Sequence, residues 1–181
     1  MTGLRIIAGA WKGRKLVAPA GDRTRPTNGR ARQAVFDILA HALWCDLRGA
    51  LVLDVFAGTG AYGLEALSRG AVQASFMEQD PAALAALKAN IDACKTTAAR
   101  VIRGDALHPP KGEKQDLVFL DPPYGQGLVP PAMAALRRAG WVREGTVIVA
   151  ELGPDETLEI KTPLVSRRHG KARLEIWQDS I

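Results

Sequence analysis

Leu51-Val52-Leu53-Asp54-Val55-Phe56-Ala57-Gly58-Thr59-Gly60 reads as a buried strand running into a glycine turn, and Ala61 to Arg69 behind it reads as a helix. Strand, glycine turn and helix in that order form the opening unit of nucleotide-binding α/β folds. Glycines let the backbone turn tightly and approach a ligand closely, and the helix N-terminus that follows offers unpaired N–H groups. The next strand, Ala74 to Met77, ends in Glu78, eighteen residues after Gly60 and near the distance at which an acidic residue meets ribose hydroxyls in such folds. Val101-Ile102 then leads to Gly104-Asp105-Ala106, which places an acidic residue at the end of a third strand, within reach of an adenine amino group.

Read as the two-glycine turn Gly58-Thr59-Gly60, the segment is taken to lack the third glycine of the dinucleotide fingerprint. That reading counts against NAD and favours S-adenosylmethionine. Further along, the apolar run Leu117-Val118-Phe119-Leu120 ends in Asp121-Pro122-Pro123-Tyr124. Two prolines fix φ near −65° and remove two N–H donors, so the carbonyls of Asp121 and Pro122 have no following ladder to join. With the Asp121 carboxylate they form a cluster of acceptors, and Tyr124 adds an aromatic face. An exocyclic amino group of a nucleobase fits this cluster. Its lone pair is conjugated into the ring, and two acceptors holding its hydrogens can turn that lone pair out of conjugation. A bare D-P-P-Y is otherwise a stiff turn ending a strand, and the upstream glycine turn is the partner that gives it meaning.

Outward from these motifs the chain keeps a simple order. Residues 4 to 8 and 14 to 17 alternate as a short β-hairpin, followed by a loop from Pro19 to Gly29. A helix capped by Thr27 or Asn28 comes next, with Ala31, Val35, Ile38, Leu39 and Ala42 at helical spacing and Arg30, Arg32 and Asp37 assigned to the other side. From Ala50 strands and helices alternate: Ala82 to Cys94 and Val129 to Ala139 are helices, and Gly145 to Glu151 is a fifth strand, apolar enough to be covered on both faces. The pattern is a parallel, doubly wound sheet. After Glu151, Leu158-Glu159-Ile160, Leu164-Val165 and Ala172 to Trp177 read as strands with no room for a helix between them, which implies a closing hairpin. The expected organisation is a basic hairpin and helix over residues 1–45 and a main domain over 46–181, packed as one unit.

The chain has 181 residues, one domain by length, and can bury roughly 70% of its unfolded surface. Cys45 and Cys94 show no paired spacing, which implies free thiols and a reducing, cytoplasmic compartment. Leu4 to Trp11 is broken by Arg5 and Gly9, so neither a signal peptide nor a membrane span is expected. His41, His108 and His169 lack metal-ligand spacing, and no metal is expected. Net charge is +5, but residues 1 to 33 carry eight cations against Asp22 alone, so the remainder is slightly acidic. A solvated basic face is one reading of this cluster. A phosphate-tracking surface beside a base-modifying site is the other, with Lys12, Arg14, Lys15, Arg25 and Arg30 as its candidates. Trp11 is either a stacking aromatic or a core residue.

The motifs D-V-F-A-G-T-G at 54 to 60, Glu78, Asp105 and D-P-P-Y at 121 to 124 resemble, in order and spacing, the class I S-adenosylmethionine-dependent methyltransferases. The N-terminal pieces Arg5-Ile6-Ile7-Ala8-Gly9, Gly13-Arg14-Lys15-Leu16, Arg25-Pro26-Thr27 and Arg30-x-Arg32 ahead of Val35-Phe36 narrow the resemblance to the 16S ribosomal RNA (guanine-N2)-methyltransferases. Arg168-His169-Gly170 departs from the family pattern, which has an aromatic-glycine pair there. The resemblance implies a Rossmann-like, seven-stranded, mostly parallel sheet whose last strand, Arg173 to Trp177, inserts antiparallel. It implies S-adenosylmethionine held by Asp54, Phe56, Ala57, Gly58, Gly60, Glu78, Asp105 and Ala106, and catalysis at Asp121, Pro122, Pro123 and Tyr124. The implied partner is 16S rRNA or the assembling small subunit, with a monomer as the default state. Two alternatives stand beside it: an adenine-N6 or other amino-methyltransferase on DNA or RNA, and a non-catalytic RNA-binding assembly factor of the same fold. Only about 45 residues precede the sheet, little room for the recognition domain of a sequence-specific DNA enzyme, whereas a structured RNA can be read by shape.

Overall fold

The computed structural model describes residues 3–19, 29–159, 163–169 and 172–180. Its elements follow in the order α1 (Gly29–His41), β1 (Leu51–Val55), α2 (Ala61–Ser68), β2 (Gln73–Glu78), α3 (Pro81–Cys94), β3 (Ala99–Arg103), β4 (Leu117–Leu120), α4 (Val129–Ala139), β5 (Val147–Leu152), β6 (Val165–His169) and β7 (Ala172–Gln178). The sheet order is β3-β2-β1-β4-β5-β7-β6. β1 to β5 are parallel, and β7 pairs antiparallel with both β5 and β6. The order reverses between β1 and β4, which opens a crevice at their carboxyl ends where ligands of open α/β sheets bind.

Period-two alternation along the strands splits the core into two layers. On one face Val52, Phe76, Phe119 and Val149 pack with Val35, Phe36 and Leu39 of α1, Leu64 of α2 and Leu87 of α3. On the other, Leu53, Val55, Leu120 and Ile148 pack with Met133 and Leu136 of α4 and with Trp141. Each large apolar side chain so buried contributes about 1.5–3 kcal/mol. α3 begins on Asp80, whose Oδ1 accepts from the Ala83 N–H at 2.8 Å, with Pro81 in the first turn.

The structure departs from the sequence reading in three places. The N-terminal hairpin is reduced to one bridge, Arg5 to Lys15, with flanking bonds from Ile6 N to Arg14 O and from Leu16 N to Leu4 O, both 2.9 Å. Its pairing stops because the N–H groups of Ile7 and Ala8 donate to the Glu65 carboxylate on α2, at 2.7 and 2.9 Å. Arg32 is not on the solvent side of α1. It is 1% exposed, standing one turn before Phe36 on the buried face, and its Nη2 donates to the Arg5 carbonyl. Burial lowers its pKa, with the Glu65 charge the strongest opposing influence. Leu158 and Glu159 form no strand, because Leu158 packs from a loop onto the α4 face; Ile160 lies outside the described residues. Between β3 and β4 the chain runs through a loop pinned where Trp141 Nε1 donates to Pro110 O at 2.8 Å. The capping assignment to Thr27 or Asn28 also falls outside the described residues. Among the described residues no helix is long and apolar enough to cross a membrane.

Candidate cofactor and base site

The turn after β1 is held in an uncommon backbone conformation. Phe56, Gly58 and Gly60 all have positive φ, at 59°, 53° and 75°. For a bulky residue such as Phe56 this is a strained geometry, of order 1–3 kcal/mol. It persists because both sides are tied: Ala57 N donates to Met77 O at 3.1 Å, and Gly60 N to Ala57 O at 2.7 Å. Asp54 lies beneath the turn, 2% exposed, where its Oδ2 accepts from Gly63 N at 2.9 Å. It fixes the start of α2 and does not face the crevice. Burial pushes its carboxyl well above the usual range, the Gly63 N–H opposes this, and the charges of Asp121 and Glu78 add to it.

The turn also carries a third glycine, which the two-glycine reading overlooked: Gly58-Thr59-Gly60-Ala61-Tyr62-Gly63 is a complete G-x-G-x-x-G. A β-carbon on Gly63 would stand 2.4 Å from Phe76 Cε1, so this glycine serves close packing of α2 on the sheet. The glycines of this turn therefore do not exclude NAD. Gly60 is likewise a packing glycine, since a β-carbon there would meet Leu87 Cδ1 at 2.4 Å. Gly58 is different. A β-carbon on it meets only Phe56 O, at 3.9 Å, and so projects into open space.

Glu78, half-buried at the end of β2, bridges the turn to its own strand end. Its Oε2 accepts from Gly58 N and its Oε1 from Gln79 N and Asp80 N, each at 2.8 Å. Asp105 follows β3, where Oδ1 accepts from Leu107 N at 2.9 Å and Oδ2 lies 2.8 Å from His108 Nδ1. The Leu107 N–H and then His108 hold its carboxyl below the usual range. Ala106 beside it is buried.

Asp121-Pro122-Pro123-Tyr124 leaves β4 next to the β1 turn, because the two strands pair in parallel with Val55 opposite Leu120. Asp121 is half-buried, Pro122 buried and Pro123 exposed. The charge of Asp121 raises the pKa of both Asp54 and Tyr62, which places its carboxylate among the buried groups of this edge. Tyr124 donates its hydroxyl to Glu151 Oε1 at 2.7 Å, and Tyr62 donates to Glu151 Oε2 at 3.1 Å. Glu151 is a site residue that the sequence reading did not find, since within the apolar run of β5 it carries no motif.

The basic segment is brought against α2 and α3. Lys12 and Lys15 are exposed. Arg14 is not a free surface cation, because its Nη1 donates to the Ala93 carbonyl in the last turn of α3. Arg30 is exposed at the start of α1, and Arg25 lies outside the described residues. Trp11 packs, partly buried, against the core. Asn90 of α3 joins this segment to the glycine turn: its Oδ1 accepts from Val17 N at 2.8 Å, and its Nδ2 donates to Val17 O at 3.0 Å and Thr59 O at 2.9 Å.

A parallel sheet with this strand order, an antiparallel β7 and a glycine turn at the switch point defines a Rossmann-like class I methyltransferase fold. An RNA methyltransferase from Salinibacter ruber, solved in complex with S-adenosyl-L-homocysteine, shares that fold with a TM-score of 0.66 at 14% identity, over 86% of this chain and 94% of that one. The chain belongs to the family described as conserved hypothetical protein 95, which matches residues 4–178. It is 39% identical over 150 residues to ribosomal RNA small subunit methyltransferase D of Escherichia coli K12, covering 82% of this chain and 74% of that protein. The protein of the same name from Haemophilus influenzae is 36% identical over 164 residues, covering 86% and 81%. The solved structure of yhhF from Escherichia coli matches with a TM-score of 0.84 at 35% identity, over 97% of each chain.

Proposed function

We propose that this protein transfers a methyl group from S-adenosylmethionine to the exocyclic N2 amino group of a guanine in 16S ribosomal RNA of the small subunit. The observation that carries this reading is the adjacency of the two turns: the glycine turn of β1 and the D-P-P-Y turn of β4 leave neighbouring strands at the switch point. The charge of the edge supports the cofactor. Glu78, Asp121 and Glu151 gather there, and such a set favours a cationic sulfonium and repels the pyrophosphate of a dinucleotide. In this reading Gly58 allows close approach, Glu78 receives the ribose hydroxyls, and Asp105 with Ala106 borders the adenine. Phe56 and Ala57 shape the turn, while Asp54 and Gly60 act through it and not by contact.

The cofactor supplies an electrophilic methyl group when bound. The chain's own work is alignment, which can be worth about 7–11 kcal/mol. The Asp121 carboxylate and the carbonyls of Asp121 and Pro122 accept the hydrogens of the amino group and turn its lone pair outward, and the Asp121 carboxylate or water takes the proton that the methylated nitrogen releases. Pro123 stiffens the turn, and Tyr124 stacks on the extruded base, a contact worth about 1–3 kcal/mol. Relatives named as small-subunit rRNA methyltransferases support an rRNA substrate, and Lys12, Lys15, Arg25 and Arg30 are assigned to its phosphates.

The test is nucleoside mass spectrometry of 16S rRNA, offered naked and as assembling subunits, after incubation with the cofactor. N2-methylguanosine is expected, Asp121→Ala is expected to abolish it, and calorimetric cofactor binding by that variant is expected to persist. N6-methyladenosine as the product would establish the adenine alternative, and cofactor binding without any transfer would establish the assembly-factor alternative.

A further inference from the structure

Two carboxylates outside the known motifs converge on Tyr124. Glu151, 7% exposed at the end of β5, takes the Tyr124 hydroxyl on Oε1 at 2.7 Å and the Tyr62 hydroxyl on Oε2 at 3.1 Å. Tyr62 is itself fixed, 5% exposed in the first turn of α2 with its ring stacked 4.9 Å from that of Phe119. The tip of the Tyr124 ring is thereby referred to the rigid sheet. Glu156, in the loop after β5, holds the other end. Its Oε1 accepts from Gly125 N at 3.1 Å and Gly127 N at 3.0 Å, while its Oε2 accepts from Gly153 N at 2.7 Å. Gly153 lets the two loops touch, since a β-carbon there would stand 3.2 Å from Tyr124 Cβ.

We propose that Glu151 and Glu156 are positioning residues for the target base: one locks the Tyr124 hydroxyl and the other the backbone that follows it, so that the ring is a preformed stacking platform. This rests on the reading of Tyr124 as the residue that meets the base. The two loops carry Gly125 and Gly127 on one side and Gly153 on the other and have little stiffness of their own, and the three amide hydrogen bonds to Glu156 supply it. Misplacement of a positioning group by about 1 Å can cost a hundredfold in rate, so the tie acts on turnover rather than on cofactor affinity.

The experiment compares wild type with Tyr124→Phe, Glu151→Gln, their double variant, Glu156→Ala and Glu156→Gln. Four quantities are read: single-turnover methyl transfer to rRNA, calorimetric affinity for S-adenosylhomocysteine, melting temperature, and 19F NMR of protein carrying fluorotyrosine. Tyr124→Phe and Glu151→Gln should each slow transfer about ten- to a hundredfold with cofactor affinity unchanged, and the double variant should be no slower than the slower single one. Glu156→Ala should show a similar loss together with a broadened Tyr124 resonance, and Glu156→Gln, which retains one acceptor, should recover part of the rate. Wild-type rates in Tyr124→Phe, additive losses in the double variant, or losses that follow cofactor affinity and melting temperature would overturn the positioning role. Wild-type protein with a sharp, Glu151-dependent Tyr124 resonance but no methyl transfer to rRNA would instead overturn the functional reading, and the catalytic role of the tie with it.

Discussion

A β-carbon on Gly60 would press into Leu87 and Phe76, inside the core, while one on Gly58 would meet only Phe56 O, at 3.9 Å, and project into open space. The two positions should therefore fail in different ways. Gly60→Val is expected to lower stability by about 1–3 kcal/mol through overpacking, with a further cost from its positive φ. Gly58→Ala adds no core clash and is expected to lose only roughly 1–2 kcal/mol to its left-handed backbone, yet to lose cofactor affinity. Thermal unfolding and calorimetry on both variants check this, and equal melting temperatures with equal affinities would remove the distinction. Asp105 allows a second check. The Leu107 N–H and His108 keep its carboxyl below the ordinary 3.8. Its contribution to stability is thus present above that value and lost as pH falls through the lower folded value. Carboxyl NMR titration should show this depression, and His108→Ala should raise the titration point toward the ordinary value. The roles of such single residues were only partly legible in the sequence. Glu78 and Asp105 lie at strand ends where counting finds them, whereas the burial of Asp54 beneath the turn and the packing role of Gly63 depend on how close α2 comes to Phe76.

At the scale of elements, α2 serves two sites at once. Its first turn supports the glycine turn from beneath through the Gly63–Asp54 bond and holds Glu151 through Tyr62, and its last turns dock the N-terminal hairpin through Glu65 and Ser68. Glu65 is fully buried and also accepts from Arg69 Nε at 2.8 Å; Ser68 Oγ accepts from Trp11 N at 3.0 Å and donates to Ala8 O at 2.6 Å. Gly9 is required at this contact, since a β-carbon there would lie 1.8 Å from Ser68 O. Glu65→Ala would leave buried donors and a buried cation unpaired, a loss of about 3–5 kcal/mol, and should release the hairpin. Hydrogen exchange at Ile7 and Ala8 is the measurement; unchanged protection would mean that burial of Ile6 and Leu16 alone holds the hairpin in place. Helix and strand periodicity disclosed the sheet and α3 and α4 closely, because apolar spacing alone fixes those elements. It did not disclose the docking, because Glu65 reads as the polar side of a helix until a second element covers it, and Arg32 was misassigned for the same reason.

Across the whole molecule, charge and chemistry are divided. The acidic groups gather at the carboxyl edge of β1, β2, β4 and β5, while residues 1 to 33 carry a net +7. That segment is tied to the glycine turn through Asn90, which joins Val17 to Thr59, so the proposed phosphate surface is fixed relative to the proposed methyl-transfer site. The sequence disclosed the charge bias but not its division of labour. Arg14 is engaged by the Ala93 carbonyl, whereas Lys12 and Lys15 are exposed, and these two are the cations proposed to meet RNA. Replacing Lys12 and Lys15 by Ala should remove up to two phosphate contacts and make the slope of log K against log salt shallower by as much as ~1.5–2. Arg14→Ala should change that slope less and instead loosen the contact between the hairpin and α3. Cofactor affinity should stay unchanged in the double lysine variant, because neither lysine is assigned to the crevice. RNA binding measured at several salt concentrations decides the matter: a slope and affinity equal to wild type would make the exposed lysines a solvated face and move RNA recognition to Arg30 and the loops around Tyr124.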